Sequence, residues 1–428
     1  MSGTFHSLRI YNYRVWAIGS VASNIGTWMQ RTAQDWLVLT QLTHQSATAL
    51  GIVTALQFGP QLLMLPFSGY TADHFDRRKV LVVTQALMGL LALGLGVLTI
   101  TGLVQLWHVY VFAFALGCVA AFDAPARQTF VAELVGDADL ANAVGLNSTS
   151  FNAARLVGPA IAGAMIAWIG TGWVFLFNAA SFASVLYAMT LLRRSEMHLR
   201  ENPRAQNGGL ADGIRYVWAR PDLKAVMFML FLIGTFGLNF PIYISTMAVG
   251  VFHVGAHEFG FLTSIMAIGS VTGALLVAKR AEPRVTTLFA AAALFGIGFA
   301  LAAIMPSYGL FALALVLLGL SAQTFTTTAN GVLQLSTAPE MRGRVMALFL
   351  AVTLGGTPLG GPIIGYVADV FGPRWALAVG AVAALGAALI GLRYLVVHRR
   401  LRISMNAGRL RMSLMAPRNH LHLGRSAS

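Results

Sequence analysis

The sequence predicts an all-α polytopic membrane protein, with twelve transmembrane helices arranged as two six-helix bundles. Three observations carry this. Of the 428 residues, 57% are hydrophobic and only 10% are charged, against about 25% charged in a soluble domain. The mean hydropathy is +0.71, more apolar surface than one or two soluble cores hide. Apolar runs of about 20 residues, the length that crosses a bilayer, recur along the whole chain with charges gathered between them. A soluble enzyme, a disordered chain and a disulfide scaffold are excluded; Cys118 is the sole cysteine, so no intrachain disulfide forms.

The spans are read at 15–40, 47–71, 80–101, 106–129, 140–168, 173–192, 223–250, 258–279, 285–305, 309–332, 344–370 and 375–397. The amino end has no short apolar region followed by a small-residue cleavage site, so it does not read as a cleaved signal peptide. Instead Val15–Ile25 runs on through Trp28 and Trp36 as the first span. The third span carries no charge, whereas the first, fourth and fifth do.

Charge placement orients the chain. The 29 Lys and Arg against 15 Asp and Glu give +14. With the amino end cytoplasmic, the even-numbered connections and both tails are cytoplasmic too. They hold all the basic residues except Arg31, Arg127, Arg155 and Arg374, and of these only Arg374 sits in an outer loop. This positive-inside pattern assigns the charge to topology and lipid headgroups. Nucleic-acid binding is disfavoured, because the basic residues follow loops rather than one folded face.

The longest polar connection, 193–222, contains Glu201-Asn202-Pro203 and Asn207-Gly208-Gly209 and reads as a cytoplasmic linker. It divides the chain into bundles at 1–192 and 223–397, followed by a basic tail at 398–428 expected to lie on anionic headgroups or to be disordered. A finer repeat is visible: Gly69-Tyr70-x-Ala72-Asp73-x-Phe75 ends the second span and Gly365-Tyr366-x-Ala368-Asp369-x-Phe371 ends the eleventh. The Gly158-Pro159 and Gly361-Pro362 pairs of the fifth and eleventh spans also match. Four three-helix units of alternating topology would make spans two, five, eight and eleven equivalent, as in many secondary transporters.

These residues identify a resemblance. Twelve spans, a central loop and Gly69-x-x-x-Asp73-x-x-x-Arg77-Arg78-Lys79 resemble the major facilitator superfamily from about residue 8 to 397. Asp76 stands where that signature often has Gly. Trp28-Met29-Gln30, Gln34-Asp35-Trp36, Phe122-Asp123-x-Pro125-x-Arg127-Gln128 and Asn142-Ala143-x-x-Leu146-Asn147-Ser148 resemble the branch of enterobactin and drug exporters. The resemblance implies alternating access around a site near the bilayer midplane. It also implies a latch in which Gly69, Asp73, Arg77 and Arg78 lock the cytoplasmic side. Gly158-Pro159-x-x-x-Gly163 resembles the antiporter motif of drug exporters, where small residues let helices approach closely.

Ionisable groups at mid-membrane are functional candidates by default. Arg31 and Asp35 lie four apart on one face of the first span, with Asn24, Gln30 and Gln34 nearby. This stripe is either a proton-coupling or substrate site or a structural ion pair. Burial disfavours the Asp35 charge and Arg31 favours it, and the sequence leaves that balance open. Arg155, accompanied by Asn147 and Asn152 in the fifth span, either pairs with Asp123 or Asp35 or meets an acidic substrate. Asp123 and Arg127 read as a structural pair joining the latch network. The fourth span lacks the Arg that proton-using relatives often carry in its outer half. Spans seven to ten supply Asn, Gln, Thr and Phe, which suits amphipathic or lipophilic substrates.

No Gly-Lys dipeptide exists, so no ATP-binding loop, and no cofactor motif is found. His253-x-x-x-His257 lacks a third ligand, so no metal is expected. The expected activity is secondary export of small amphipathic molecules, drugs or siderophore-like metabolites, driven by protons, from a monomer in the bacterial plasma membrane with both termini cytoplasmic. An importer or facilitator on the same fold, a lipid flippase and a membrane-embedded lipid-modifying enzyme are the alternatives. Fold alone does not give direction.

Overall fold

The computed structural model describes residues 5–64, 67–68, 71, 75–198, 210–279, 283, 285–398, 402–406 and 409–413. Its helices are α1 Tyr11–Trp36, α2 Ala47–Leu63, α3 Arg77–Ile100, α4 106–135, α5 137–169, α6 Thr171–Leu191, α7 Leu210–Ala219, α8 Pro221–Phe236, α9 Phe240–Gly250, α10 Ala256–Ala278, α11 Val285–Ile304, α12 Tyr308–Ser336, α13 Pro339–Phe371 and α14 Pro373–His398. Among the described residues, nine helical stretches are long and apolar enough to cross a membrane. The protein is therefore a multi-pass membrane protein. α1 falls outside the nine because of its polar face, and α2, though apolar, because it is short.

One of the nine, Leu106–Ile169, is 64 residues of nearly continuous helix. At 1.5 Å per residue it would reach about 96 Å, several bilayer cores. Gly136, with φ +71°, breaks it into α4 and α5. A Cβ there would also lie 3.2 Å from the His198 ring, and the His198 N–H donates to the Glu133 carbonyl at 2.8 Å. Elsewhere the ends follow local chemistry. Ser46 caps α2, Asp76 caps α3 and Ser307 caps α12, each side chain accepting from first-turn amides. Asp76, the departure from the family signature, thus satisfies the Arg78 and Lys79 N–H groups at 2.9 and 3.3 Å.

Two sets of helices pack among themselves. α6 packs on α1 and α3, and α4–α5 packs on α1, α2 and α3; in the second set α10 and α11 pack on α12, α8 and α14 on α13 and on each other, and α14 on α11. The main contacts between the sets come from α2 on α13 and α5 on α10, with smaller ones from α1 and α2 on α9. α2, α5, α10 and α13 are the four spans the internal repeat makes equivalent. The largest core cluster runs through both sets, and a second joins Tyr13, Trp16, Phe130 and Leu134 near the start of the chain.

The structure adds detail to three of these readings. The seventh span is not one helix: residues 237–239 interrupt it between α8 and α9, where the Leu238 N–H turns back to the Ile233 carbonyl at 3.0 Å. The connection 193–222 contains the amphipathic α7. Tyr216 of α7 accepts from the Ala338 N–H at 3.2 Å, and Asp212 lies 3.8 Å from Arg344. Within the tail, Arg402–Asn406 and Arg409–Ser413 form an antiparallel pair, the one departure from an all-α fold among the described residues. The second span is helical to Leu63, and Gly69 and Asp73 lie outside the described residues.

Candidate functional site

The end of the helix array that holds the chain's amino terminus is here the terminal end, and the other the far end. The polar stripe of α1 lies between them. Asn24, Gln30 and Arg31 line a cavity of about 690 Å³ together with Gln57 and Gln61 of α2, Asp123 and Arg127 of α4, Asn147, Ser148 and Asn152 of α5 and Asn178 of α6. It continues to Gln128, Val131 and Val144 towards the terminal end. Every lining residue belongs to the first six spans. Asn178 donates to Gln30, and Asn24 to the Ser150 hydroxyl at 3.4 Å, while Asn152 is turned onto the Ser148 carbonyl at 2.8 Å. Gln34 is buried but does not line this cavity.

A second, smaller cavity of about 200 Å³ continues from Arg31 towards the far end and bridges the two helix sets. Trp28, Arg31, Thr32, Asp35, Phe58 and Arg155 face Leu238, Phe240, Pro241, Phe259, Thr263 and Thr357 across it. Arg31 belongs to both cavities. Its guanidinium stands 4.9 Å from the Trp28 ring centroid and 5.5 Å from that of Phe58; Arg155 stands 5.6 Å from the same indole. Sequence spacing offered an Arg31–Asp35 pair, and pairing of Arg155 with Asp123 or Asp35. The structure contains none of these: among the described residues Arg31, Asp35 and Arg155 make no ion pair within 4.0 Å, and Arg31 Nε is buried without a partner.

Asp123 is occupied elsewhere. Its Oδ2 accepts from Arg127 Nε and Nη2 at 3.1 and 3.0 Å, and its Oδ1 from Thr84 and Gln85 of α3 at 2.8 and 2.6 Å. Through Thr84 and Gln85, Asp123 ties α4 to α3. The signature arginines reach other partners: Arg77 pairs with Glu133, and Arg78 donates to the Met189 carbonyl of α6. Outside the spans, Arg220 donates to Asp222, to Tyr216 and to the Ser336 carbonyl, the last at 2.7 Å. The hydrogen bond to Asp222 pushes the Arg220 guanidinium still further above its ordinary range, so it stays charged.

The far end is shut by backbone contact. A Cβ on Gly51 would lie 2.4 Å from the Gly361 carbonyl oxygen, one on Gly365 2.3 Å from that of Ala47, and one on Gly163 2.5 Å from that of Ala256. Gly158 of the same motif packs instead on α1, where a Cβ would meet Trp28 Cβ at 2.7 Å; the Pro159 carbonyl oxygen abuts Gly260. The sequence-derived packing motif thus touches both α1 and α10.

One residue of this seal carried only a repeat signal in the sequence. Asp369 of α13 accepts from the Ala47 N–H at 2.6 Å, the Thr48 N–H at 2.9 Å and the Ser46 hydroxyl at 3.1 Å. It supplements the Ser46 cap of α2 from the other helix set, with its charge at the positive end of the α2 dipole. Thr84, Gln85 and Phe58 were not singled out as site residues either. Their partners lie 38 or more residues away except for Phe58, 27 from Arg31, so no local spacing marks them. Trp28 was visible only as part of a family match.

The family described as transmembrane secretion effector matches residues 2–411. The staphyloferrin A transporter of Staphylococcus aureus is 26% identical over 355 residues, covering 81% of this chain and 87% of the relative. The multidrug efflux pump Tap of Mycolicibacterium fortuitum is 28% identical over 371 residues, covering 82% and 88%. The enterobactin exporter of Salmonella choleraesuis is 25% identical over 367 residues, covering 85% and 86%. Among solved structures, a bacterial homologue of the human lysosomal transporter Spinster, inward-facing and unoccupied, aligns with a TM-score of 0.68 over 90% of this chain and 94% of that one, at 15% identity. With the family model matching residues 2–411, the chain belongs to the transmembrane secretion effector family of major facilitator transporters.

Proposed function

We propose that this transporter is a proton-driven exporter of small amphipathic molecules that works by alternating access between two six-helix bundles. The bundles are 1–192 and 223–397, with both termini cytoplasmic in a bacterial plasma membrane, and the chain acts as a monomer. The observation that carries the proposal is the asymmetry of the cavity system. The polar cavity extends to the terminal end, where its described walls come from the first bundle alone. The far end is closed by glycine-to-backbone contacts between the bundles. A rigid-body rock that opens the far end must separate α2 from α13 and α5 from α10, the main pairs that now join them.

Within this reading Asp35 is the proton acceptor. It lines the cavity shared by the bundles and has no ion-pair partner among the described residues, whereas Asp123 is held by four hydrogen bonds. Asn24, Gln34, Asn152, Arg31 and Arg155 are the accompanying substrate candidates. Gly69, Asp73, Arg77 and Arg78 form the latch that closes the terminal end in the opposite state, with Asp123 and Arg127 bracing α4. Export rather than uptake is supported by the relatives that are named as exporters or efflux pumps. The test is dye efflux from energised cells. Protonophore-sensitive loss of dye that disappears with Asp35→Asn supports the proposal; gradient-driven efflux unchanged in that variant removes Asp35 from it.

A further inference from the structure

We infer that the cavity bridging the two bundles is an organic-anion site, taking a substrate whose carboxylate is held by Arg31 and Arg155 and whose aromatic or apolar body lies among Trp28, Phe58, Phe240 and Phe259. The inference rests on the transport reading and names its substrate class. Charge comes first. Arg31, Arg155 and Asp35 are the ionisable groups lining this cavity. With Asp35 ionised, two guanidiniums face one carboxylate in a space closed off by apolar rings. An uncompensated charge in such surroundings is costly, and one substrate carboxylate would neutralise it.

Hydrogen-bonding capacity points the same way. Arg31 Nε and Trp28 Nε1 are both buried donors without a partner, and neither guanidinium donates to an acceptor among the described residues. The nearby hydroxyls of Thr32, Thr54 and Thr263 already donate to carbonyls of their own helices. The cavity therefore offers spare donors, the complement of a carboxylate, which accepts at both oxygens. Asp123, the other acid near Arg31, is taken by Arg127, Thr84 and Gln85. Both guanidiniums are also fixed in place by stacking on one indole, so the site exists before the ligand arrives.

The experiment is calorimetric titration of the purified full chain in lipid nanodiscs, with empty nanodiscs as blank. Three near-isosteric probes are compared: 1-naphthylacetate, its neutral amide 1-naphthylacetamide, and the cation 2-(1-naphthyl)ethylamine. The acetate is expected to bind about tenfold or more tighter than the amide, and the amine weakest. Arg155→Met and Arg31→Met are expected to erase the preference for the acetate over the amide, and Arg155→Lys, which keeps the charge, to retain part of it. Equal binding of acetate and amide, tighter binding of the amine, no acetate binding at millimolar concentration, or an undiminished preference in both Met variants would overturn the inference. Dye efflux is read separately in cells. Efflux that persists beside charge-blind binding sinks the anion site alone; charge-selective binding without efflux keeps the site and sinks the export reading.

Discussion

Removing the Asp369 carboxylate should open the far end. The side chain accepts three hydrogen bonds from the first turn of α2, two of them from backbone N–H groups that no residue of α2 itself can satisfy. Losing an N-cap costs about 0.5–2 kcal/mol, and losing a negative charge at a helix N-terminus about 0.3–1 kcal/mol more. Because α2 and α13 belong to different helix sets, this energy acts on the closure of the far end and hardly on the packing within either set. Asp369→Ala should therefore shift the closed-to-open equilibrium by about 1–3 kcal/mol, a factor of about 5–150. Asp369→Asn, which keeps an acceptor, should shift it less. Spin labels at Leu103→Cys and Gly309→Cys report the change. Both positions are at the far end, one per bundle, Leu103 exposed and Gly309 with open space where a side chain would go. Cys118→Ser removes the sole native thiol. Electron–electron distance measurement should show a longer component growing in the order wild type, Asn, Ala. An unchanged distribution in Asp369→Ala would refute the reasoning.

Other outcomes follow from the same geometry. Gly365→Ala, whose methyl would meet the Ala47 carbonyl across the bundle interface, should populate the open far end without lowering the unfolding temperature. Gly269→Ala puts a methyl 2.0 Å from the Val316 carbonyl oxygen inside the second bundle. It should destabilise the protein by about 1–3 kcal/mol, read as a lower unfolding temperature or reduced yield of monodisperse protein. Asp123→Ala strands the Arg127 guanidinium and should destabilise by on the order of 3 kcal/mol, with thermal unfolding as the check; a wild-type transition would show that the α3–α4 tie is idle. Asp35→Asn should leave the protein in the membrane and abolish gradient-driven transport, measured with dye-loaded cells.

The membrane fold was legible because lipid makes one simple demand, long apolar helices, and because basic residues mark the gaps. Ala47–Leu63 and Val285–Ile304 fall within predicted apolar runs, whereas Leu106–Ile169 stays helical through the connection between the fourth and fifth runs, and Pro339–Phe371 starts ahead of the eleventh. The break at Gly237–Asn239 escaped notice because Phe236, Leu238 and Phe240 keep the hydropathy high through it. The helix α7 escaped because the Pro and Gly residues of 203–209 dominate the reading of that connection. The polar stripe of α1 was legible as a stripe, and its cavity exposure follows from the same periodicity. What spacing could not supply was partnership. Residues four apart on a helix are neighbours, yet Asp123–Arg127 closes into a pair and Arg31–Asp35 does not. The difference lies in what packs beside them: Thr84 and Gln85 hold Asp123 in place, whereas Trp28 and Phe58 draw the Arg31 guanidinium onto their rings. Asp369 was visible only as an echo of Asp73. Its role depends on a helix end 322 residues away in sequence.

The most direct test of the account is efflux of a panel of fluorescent dyes and amphipathic anions from energised cells, with and without a protonophore. The account expects loss of at least one compound that depends on this chain, stops with the protonophore and fails in Asp35→Asn. Retention of every compound at the level of cells lacking the protein, or efflux indifferent to the protonophore, would contradict it.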